Sequence, residues 1–247
     1  MSPAVLSYIA PIQRRLPNPV LDRIFFSSMI LVLWATVLIG FGRTYFFAGM
    51  AHAPLPNRLI HLHGAAFTLW MVLLLVQTSL ITTRKIRVHR TLGLFGFGLA
   101  VLMVALGLTA AVDMLRRNVA PPPNDPRIFF IIPLSGILLF ATLIYASYRN
   151  RTRPELHKRL ILLGTIEIMG AAVGRFPTHF FQSNPVHGEF VMLSFVLLVV
   201  AFDLVSLRRI SKSTLWASAL IIVVHLVRMP IASTPLWIAF AGHVRGY

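Results

Sequence analysis

Residues 24–42 read IFFSSMILVLWATVLIGFG, a stretch of nineteen residues without a charged side chain. A helix needs about 20 apolar residues to cross about 30 Å of hydrocarbon, so this stretch predicts a membrane-spanning segment. Similar stretches recur along the chain, and hydrophobic residues make up 57% of it. We predict seven spans, at Ile24–Gly42, Leu59–Thr83, Thr91–Val112, Ile128–Tyr148, Leu160–Phe176, Gly188–Leu207 and Thr214–Met229.

The predicted spans are helices, because lipid offers no hydrogen-bond partners to an exposed backbone. The sequence also lacks the short segments of alternating apolar and polar residues that are typical of a membrane β-barrel. It therefore predicts an all-α fold, an integral membrane bundle of about seven transmembrane helices.

Basic residues are divided unequally between the two sets of connecting segments. Fifteen Lys and Arg residues fall in the amino-terminal segment and in the turns after the second, fourth and sixth spans, and eight fall in the other set. Because short basic loops stay in the cytoplasm, we predict an inner amino terminus and an outer carboxyl terminus. The predicted parts are a cytoplasmic segment 1–23, a seven-helix domain 24–229 and an outer interfacial segment 230–247, in which Pro235 begins a short helix.

The net charge of +16 is attributed mainly to anionic lipid headgroups at the cytoplasmic face. The basic residues lie in short turns and form no continuous stripe, which argues against a nucleic-acid partner. The absence of cysteine excludes disulfides, thiolate metal sites and cysteine nucleophiles. The chain also lacks the GxxxxGK[ST], GxSxG and HExxH motifs of nucleotide hydrolysis, serine esterases and zinc proteases.

Most of the nine histidines fall at the outer ends of the predicted spans. Imidazole is a common ligand for zinc, copper and iron, and a chain without cysteine would have to rely on it. We therefore predict a metal or haem site toward the outer leaflet, built from His63, His225 and one or more of His61, His179 and His187. The alternative is that each is an interfacial side chain whose polar tip reaches water.

His63 shares one predicted helical face with Phe67, Trp70 and Gln77. His61 points about 160° away from His63 if the helix already includes it. The two histidines could then bind one ion only if the chain were unwound at His61. An aromatic stripe of this kind is equally typical of ordinary helix packing.

Glu167 is expected near the middle of the fifth span, on a face that also carries Gly164, Gly170 and Gly174. Small residues allow another helix to approach, so this face should point into the bundle. A charged carboxylate there would cost about 2.5 to 3.5 kcal/mol, so Glu167 should be protonated or paired. We assign Glu167 and Arg175 a catalytic role in moving protons or holding an anionic substrate group, with a structural polar clamp as the alternative. The candidate partners of Glu167 are Arg175, His63 and Gln77.

His89 and His157 begin the third and fifth spans at equivalent depth near the inner face. One imidazole from each of two helices is an arrangement that can hold a haem through its axial positions. We therefore predict that this pair binds a cofactor. The alternative is that both histidines belong to the basic belt at the inner boundary.

Four segments carry a resemblance to known proteins: HLHGAAFTLW (61–70), VHRTLG (88–93), ELHKRLILLG (155–164) and GRFP (174–177). They resemble a group of bacterial multi-span membrane proteins of unassigned function. The resemblance implies a seven-helix fold in the bacterial inner membrane. More remotely, histidines at both ends of the bundle are similar to the transmembrane b-type cytochromes, although no span here carries the two well-separated histidines that a helix of those proteins usually has.

Three functions remain open at this point. The first is a metal or haem protein engaged in electron transfer, quinone chemistry or the maturation of a respiratory complex. The second is a small proton-coupled transporter or channel in which Glu167, Gln77 and Asp203 line a path. The third is a non-catalytic assembly or structural partner of a respiratory or envelope complex.

Overall fold

The computed structural model describes residues 18–52, 57–120, 125–177 and 185–246, and the regular structure in these ranges is helical. In chain order the helices are α1 Pro19–Phe41, α2 Arg58–Thr82, α3 Ile86–Arg116, α4 Pro126–Phe129, α5 Ile131–Arg149, α6 Pro154–Glu167, α7 Gly170–Val173, α8 Pro185–Leu207, α9 Lys212–Ala232 and α10 Pro235–Arg245. A π-helical turn, Gly42–Phe46, extends α1.

Six segments of the described chain are long and apolar enough to cross a membrane. They are Pro19–Phe46, Arg58–Thr82, Ile86–Arg116, Pro126–Arg149, His187–Leu207 and Lys212–Ala232. Large apolar side chains such as Phe95, Val101 and Leu226 are exposed on the outside of these helices. An apolar surface of this extent is typical of a protein that contacts lipid. The chain is therefore an all-α, multi-pass membrane protein, as the sequence predicts.

The predicted fifth span, Leu160–Phe176, is not one continuous helix. α6 ends at Glu167 and α7 begins at Gly170. At the break, Met169 N donates to Ile166 O at 2.9 Å, three residues back instead of the four of an α-helix. The prediction of an unbroken span is therefore wrong. The break could not be predicted, because no proline marks it and hydropathy does not report it.

α6 and α7 together run beside α1 from one end of the bundle to the other. Lys158, near the start of α6, donates to the Asp22 carboxylate of α1 at 2.5 Å. At the opposite end, a Cβ added to Gly40 of α1 would overlap the carbonyl oxygen of Ala172 in α7. We call the end that holds Asp22 and Lys158 the basic end, because the Arg-rich turn that leads into α6 lies there, and the opposite one the far end.

α6 lies at the centre of the bundle. Every residue from Arg159 to Glu167 is buried except Ile161, which is half-buried. The helix packs against α1, α5, α8 and α9. At Gly164 a Cβ would lie 3.2 Å from Leu143 of α5, so the two helices are already in close contact. Because lipid is as apolar as a protein core, close packing and polar contacts rather than hydrophobic burial hold such a helix in place.

Both ends of the predicted transmembrane domain differ from the structure. α1 begins at Pro19, where the Asn18 side chain accepts hydrogen bonds from the first turn, so the end of the predicted cytoplasmic segment is helical. The rest of that segment, residues 1–17, lies outside the described residues. α9 continues through Pro230 to Ala232, beyond the predicted end at Met229. A membrane helix tolerates proline when neighbouring groups satisfy the backbone that it frees.

The short helix predicted at Pro235 is present as α10. The Thr234 side chain accepts a hydrogen bond from Trp237 N, which is a standard amino-terminal cap. Trp237 Nε1 donates to Arg127 O at 2.8 Å, and the Trp237 ring lies against Phe130. These contacts attach α10 to α4 and to the start of α5.

A buried ion pair at the basic end joins α6 to α8. The side chains of Arg159 and Asp203 are both 0% exposed, and Arg159 Nη2 and Nε reach Asp203 Oδ1 at 2.6 and 2.8 Å. Asp203 Oδ2 accepts from Thr214 Oγ1 at 2.6 Å and from Ser211 N at 2.9 Å. Because both oxygens are satisfied, this carboxylate fixes the start of α9 as well as α6.

Asp203→Ala should strongly destabilise the bundle, because the buried Arg159 charge then loses its main partner. Removing one member of a buried ion pair costs about 3 to 5 kcal/mol. The measurement is the free energy of unfolding of the purified protein in mixed micelles.

The matched control for this prediction is Arg117→Ala. It removes a surface pair with Asp113 whose side chains are 48% and 26% exposed. Such pairs contribute about 0 to 1 kcal/mol. Equal losses of stability in the two variants would contradict a structural role for Asp203.

Gly40→Ala should also destabilise the protein, because its methyl group would push the backbone of α7 away from α1. Overpacking of this kind costs about 1 to 3 kcal/mol. Gly98→Ala is the control, since nothing lies within 4 Å of a Cβ at that position of α3. Thermal unfolding in detergent should show a lower midpoint for the first variant only, and an unchanged midpoint in Gly40→Ala would contradict the close contact.

Candidate functional site

A cavity of about 410 Å³ lies between α2, α3 and α6 at the basic end. Its lining includes the imidazoles of His89 and His157, the Gln77 amide, and the rings of Trp70 and Phe97. Pockets for organic ligands have volumes of roughly 300 to 1,000 Å³ and combine apolar walls with a few polar groups. The two histidines predicted to bind a cofactor thus line one cavity of suitable size.

The His157 ring is held by the backbone and side chain of Ser147. His157 Nδ1 lies 2.8 Å from Ser147 Oγ and 3.3 Å from Ser147 O. The Ser147 hydroxyl donates to His157 O at 3.1 Å, and a carbonyl can only accept, so both contacts are satisfied when Nδ1 carries the proton. The remaining nitrogen, Nε2, then has a free lone pair.

The charge of His157 is also favourable for binding a metal. Burial lowers the pKa of its imidazole from the ordinary value, and the neighbouring His89 lowers it further. Its hydrogen bond to Ser147 acts in the opposite direction without reversing the shift. The ring is therefore neutral near pH 7, which is the form that serves as a metal ligand.

The His89 ring is positioned by Gln77 of α2. The Gln77 amide nitrogen donates to His89 Nδ1 at 2.6 Å when its oxygen accepts from Gly93 N at 2.9 Å. In the opposite orientation the amide nitrogen would face the Gly93 N–H and the amide oxygen would face His89 O, so only the donating orientation satisfies both ends of the amide. Gln77 therefore favours the His89 tautomer whose Nδ1 accepts.

Two arginines lie in the lining of the cavity near its opening. Arg90 and Arg151 are both exposed, and neither forms an ion pair with a described residue. The guanidinium of Arg151 lies 4.5 Å from the centre of the Tyr148 ring. Two guanidinium groups beside an apolar cavity favour a ligand that carries carboxylates.

A second polar group lies nearer the far end and links four side chains from three helices. His225 of α9 is central: its Nδ1 lies 2.6 Å from Glu189 Oε2 of α8, and its Nε2 lies 3.1 Å from both carboxylate oxygens of Glu167 in α6. Arg228, one turn after His225, donates to the other oxygen of Glu189. We call these four residues the far-half chain.

Burial increases along the far-half chain. The Glu189 side chain is 38% exposed, His225 is 8% exposed and Glu167 is 1% exposed. Glu167 is the last residue of α6, directly before the break in that helix. On α5, Gly136 lies beside this carboxylate, since a Cβ there would be in ordinary contact with Glu167 Oε1 at 3.7 Å. The chain therefore leads from a partly exposed carboxylate to one enclosed by protein.

The histidines predicted to form an outer metal site do not converge in the described part of the chain. Within it, no group of three or more His, Asp or Glu side chains is arranged to hold a metal ion. His225 has both ring nitrogens against carboxylates on opposite sides, so these groups cannot surround one ion. His179 lies outside the described residues, and His187 is half-buried in the first turn of α8.

His61 and His63 are separated by the helix that carries them. α2 begins at Arg58, so both residues are helical and point in different directions. His61 is exposed, and its carbonyl oxygen accepts from the Tyr45 hydroxyl at 3.1 Å. The His63 ring stacks on Phe67 at 4.2 Å, with a buried Nδ1 that has no partner among the described residues. At His63 the predicted aromatic face is therefore a packing contact between neighbouring rings of α2.

Glu167 faces the interior as predicted, but its partner is none of the three that the sequence suggests. His225 occupies that place. Arg175, the second predicted catalytic residue, donates instead to Ala171 O at 2.7 Å, and its guanidinium lies 4.9 Å from the centre of the Phe41 ring. The structure therefore does not bring Arg175 and Glu167 together.

Sequence reasoning missed Glu189 and the part played by Arg228. A signal for both was present, because each is a charged residue close to one end of an apolar stretch, where a lone charge is costly. Their pairing depends on α8 and α9 being neighbours in the bundle. Helix order cannot be read from the sequence of a single chain.

Comparison with known proteins adds no assignment to this geometry. The chain matches no protein-family model, no curated protein and no solved structure. The cavity and the far-half chain are therefore the features that indicate a function.

Proposed function

We propose that the protein is a membrane-embedded b-type haem protein, in which His89 and His157 would hold the haem in the cavity at the basic end. The observation that carries this proposal is that one imidazole from each of two helices lines the same cavity. Bound there, a haem would supply one-electron transfer through its iron.

The number of ligands favours haem over a bare ion. A structural zinc site uses four protein ligands and a catalytic zinc site uses three. This cavity offers two imidazoles, and no group of three or more possible ligands in the described chain is arranged to hold an ion. A porphyrin provides the equatorial ligands itself and needs only axial ones from the protein. Among the predicted cofactors of haem, zinc, copper and iron, haem therefore fits the donor set best.

The surroundings of the His157 imidazole support the same ligand. Metal-ligating histidines usually donate their second ring nitrogen to a carbonyl or carboxylate, which fixes the tautomer. His157 has this arrangement through Ser147 O. Arg90 and Arg151 provide positive charge for the propionate groups that haem carries.

Two aromatic side chains give the cavity apolar walls. Trp70 is 2% exposed, and its Nε1 donates to Thr165 Oγ1 at 3.2 Å, which fixes the indole against α6. Phe97, on α3, also lines the cavity. A dry, apolar shell around a redox centre is one of the means by which a protein sets its potential.

We further propose the setting of this activity. The basic end faces the cytoplasm, next to anionic lipids of a bacterial inner membrane, because Lys- and Arg-rich turns stay on that side. Electron transfer requires a donor and an acceptor, so we propose a respiratory or envelope membrane complex as the partner.

The transporter alternative has less support. Its three path residues lie in separate places: Gln77 lines the cavity, Glu167 pairs with His225, and Asp203 is fully buried against Arg159. No observation on the described residues connects them.

The purified wild-type protein should bind haem at one per chain and show a Soret band with the spectrum of two axial histidines. His89→Ala and His157→Ala should each lower the haem content at least about tenfold, in the range expected for loss of a metal contact. His225→Gln and His61→Gln are the controls and should retain haem. Optical spectra and haem titration test this, and a wild-type protein that binds no haem would overturn the proposal.

Gln77→Leu should weaken haem binding by about 10- to 100-fold, the usual effect of removing a hydrogen bond to a ligand. Gln77→Glu should retain binding and lower the midpoint potential, because a carboxylate accepting from Nδ1 makes His89 a more basic ligand. The neighbouring variant Thr78→Val serves as the control. Haem titration with redox potentiometry distinguishes these effects, and equal potentials in wild type and Gln77→Glu would exclude a positioning role for Gln77.

A further inference from the structure

The far-half chain has a charge pattern that leaves one proton to be shared. Arg228 carries a fixed positive charge, and it compensates the negative charge of Glu189. His225 and Glu167 are then neutral together in either of two states: imidazolium with carboxylate, or imidazole with carboxylic acid. Burial disfavours states with net charge, so the site can hold these two forms and a third neutral one, in which Glu189 is the carboxylic acid and Glu167 is the carboxylate.

The geometry suits transfer of that proton. Each nitrogen of His225 is within hydrogen-bond distance of a different carboxylate, at 2.6 Å to Glu189 and 3.1 Å to Glu167. An imidazole with a partner at each nitrogen can accept a proton on one side and release one on the other. The partly exposed carboxylate is thereby connected to the enclosed one.

We propose that Glu189, His225 and Glu167 form a proton relay that carries one proton between the solvent-accessible surface of the far half and the interior of the bundle. This inference does not depend on haem binding, because the relay and the cavity share no residue.

The transfer conserves the number of protons on the three side chains. In the starting state, Glu189 is a carboxylic acid, His225 carries its proton on Nε2, and Glu167 is a carboxylate. The Glu189 proton moves to Nδ1, and the Nε2 proton moves to Glu167. In the final state Glu189 is a carboxylate, His225 carries its proton on Nδ1, and Glu167 is a carboxylic acid. The reverse transfer restores the starting state.

The groups around the relay bias it without interrupting it. Arg228 favours the ionised form of Glu189, so this carboxyl group releases its proton readily. On the α5 side, Gly136 presents no charged group to Glu167.

The alternative for the same contacts is a static polar clamp, in which Glu167 never exchanges its proton through His225. The relay and the static clamp differ in the rate at which Glu167 gains a proton. The relay requires Glu167 to gain a proton by way of His225, and general acid–base transfer through a positioned side chain accelerates such a step by about 10²- to 10⁴-fold.

Time-resolved infrared spectroscopy of the full chain in proteoliposomes measures that rate. After a jump to acidic buffer, the C=O stretching band of a newly protonated carboxyl group should appear, and its absence in Glu167→Gln assigns it to Glu167. In His225→Gln, whose amide can hydrogen-bond but cannot relay a proton, the band should reach the same final amplitude about a hundredfold more slowly. Glu189→Gln should slow it too.

Controls outside the far-half chain separate the relay from general disturbance. Glu155→Gln, at the basic end, and His61→Gln, an exposed histidine of α2, should leave the rate unchanged. Glu189→Gln keeps the test decisive if His225→Gln does not fold, because Glu189 is partly exposed. The proposal is overturned if the Glu167 band forms at the wild-type rate in the Glu189 and His225 variants, or if wild-type Glu167 never becomes protonated.

Discussion

The cost of placing a charge in hydrocarbon governs how this bundle is built. A lone ionised side chain in a span costs several kcal/mol, so each one must be paired or neutral. α6 carries two such groups, Arg159 at its basic end and Glu167 at its last residue, and both have partners on neighbouring helices. Helix association in lipid has little hydrophobic drive, so these polar contacts select which helices can surround α6.

The two polar groups of α6 differ in their access to solvent, and this gives them different roles. Asp203, opposite Arg159, is 0% exposed and accepts four hydrogen bonds, so it has no freedom to change its protonation. Glu189, in the far-half chain, is 38% exposed. A carboxylate that is both paired and accessible can exchange protons with water, whereas one that is fully enclosed serves as a structural anchor.

Features set by one helix could be predicted from the sequence, whereas those set by pairs of helices could not. The spans follow from length and hydropathy, and the inward direction of Glu167 follows from the small residues on its face. His89 and His157 could be placed at one depth because each follows a basic turn. The pairing of Glu167 with His225 was hidden, because it depends on which helices are neighbours. The break at Met169 was hidden as well, since tertiary contacts rather than a breaking residue determine it.

The two sites are close enough to act on each other through space. His157, which lines the cavity, and Glu167 are ten residues apart on the same helix, about 15 Å at 1.5 Å per residue. Two unit charges at that separation interact by on the order of 1 kcal/mol at an effective dielectric constant of about 20. A negative charge that arrived in the cavity would therefore favour protonation of the far-half chain, and loss of that proton would oppose the charge. The bundle thus places a site for charge and a site for protons within range of one another on its central helix, without requiring a continuous path between them.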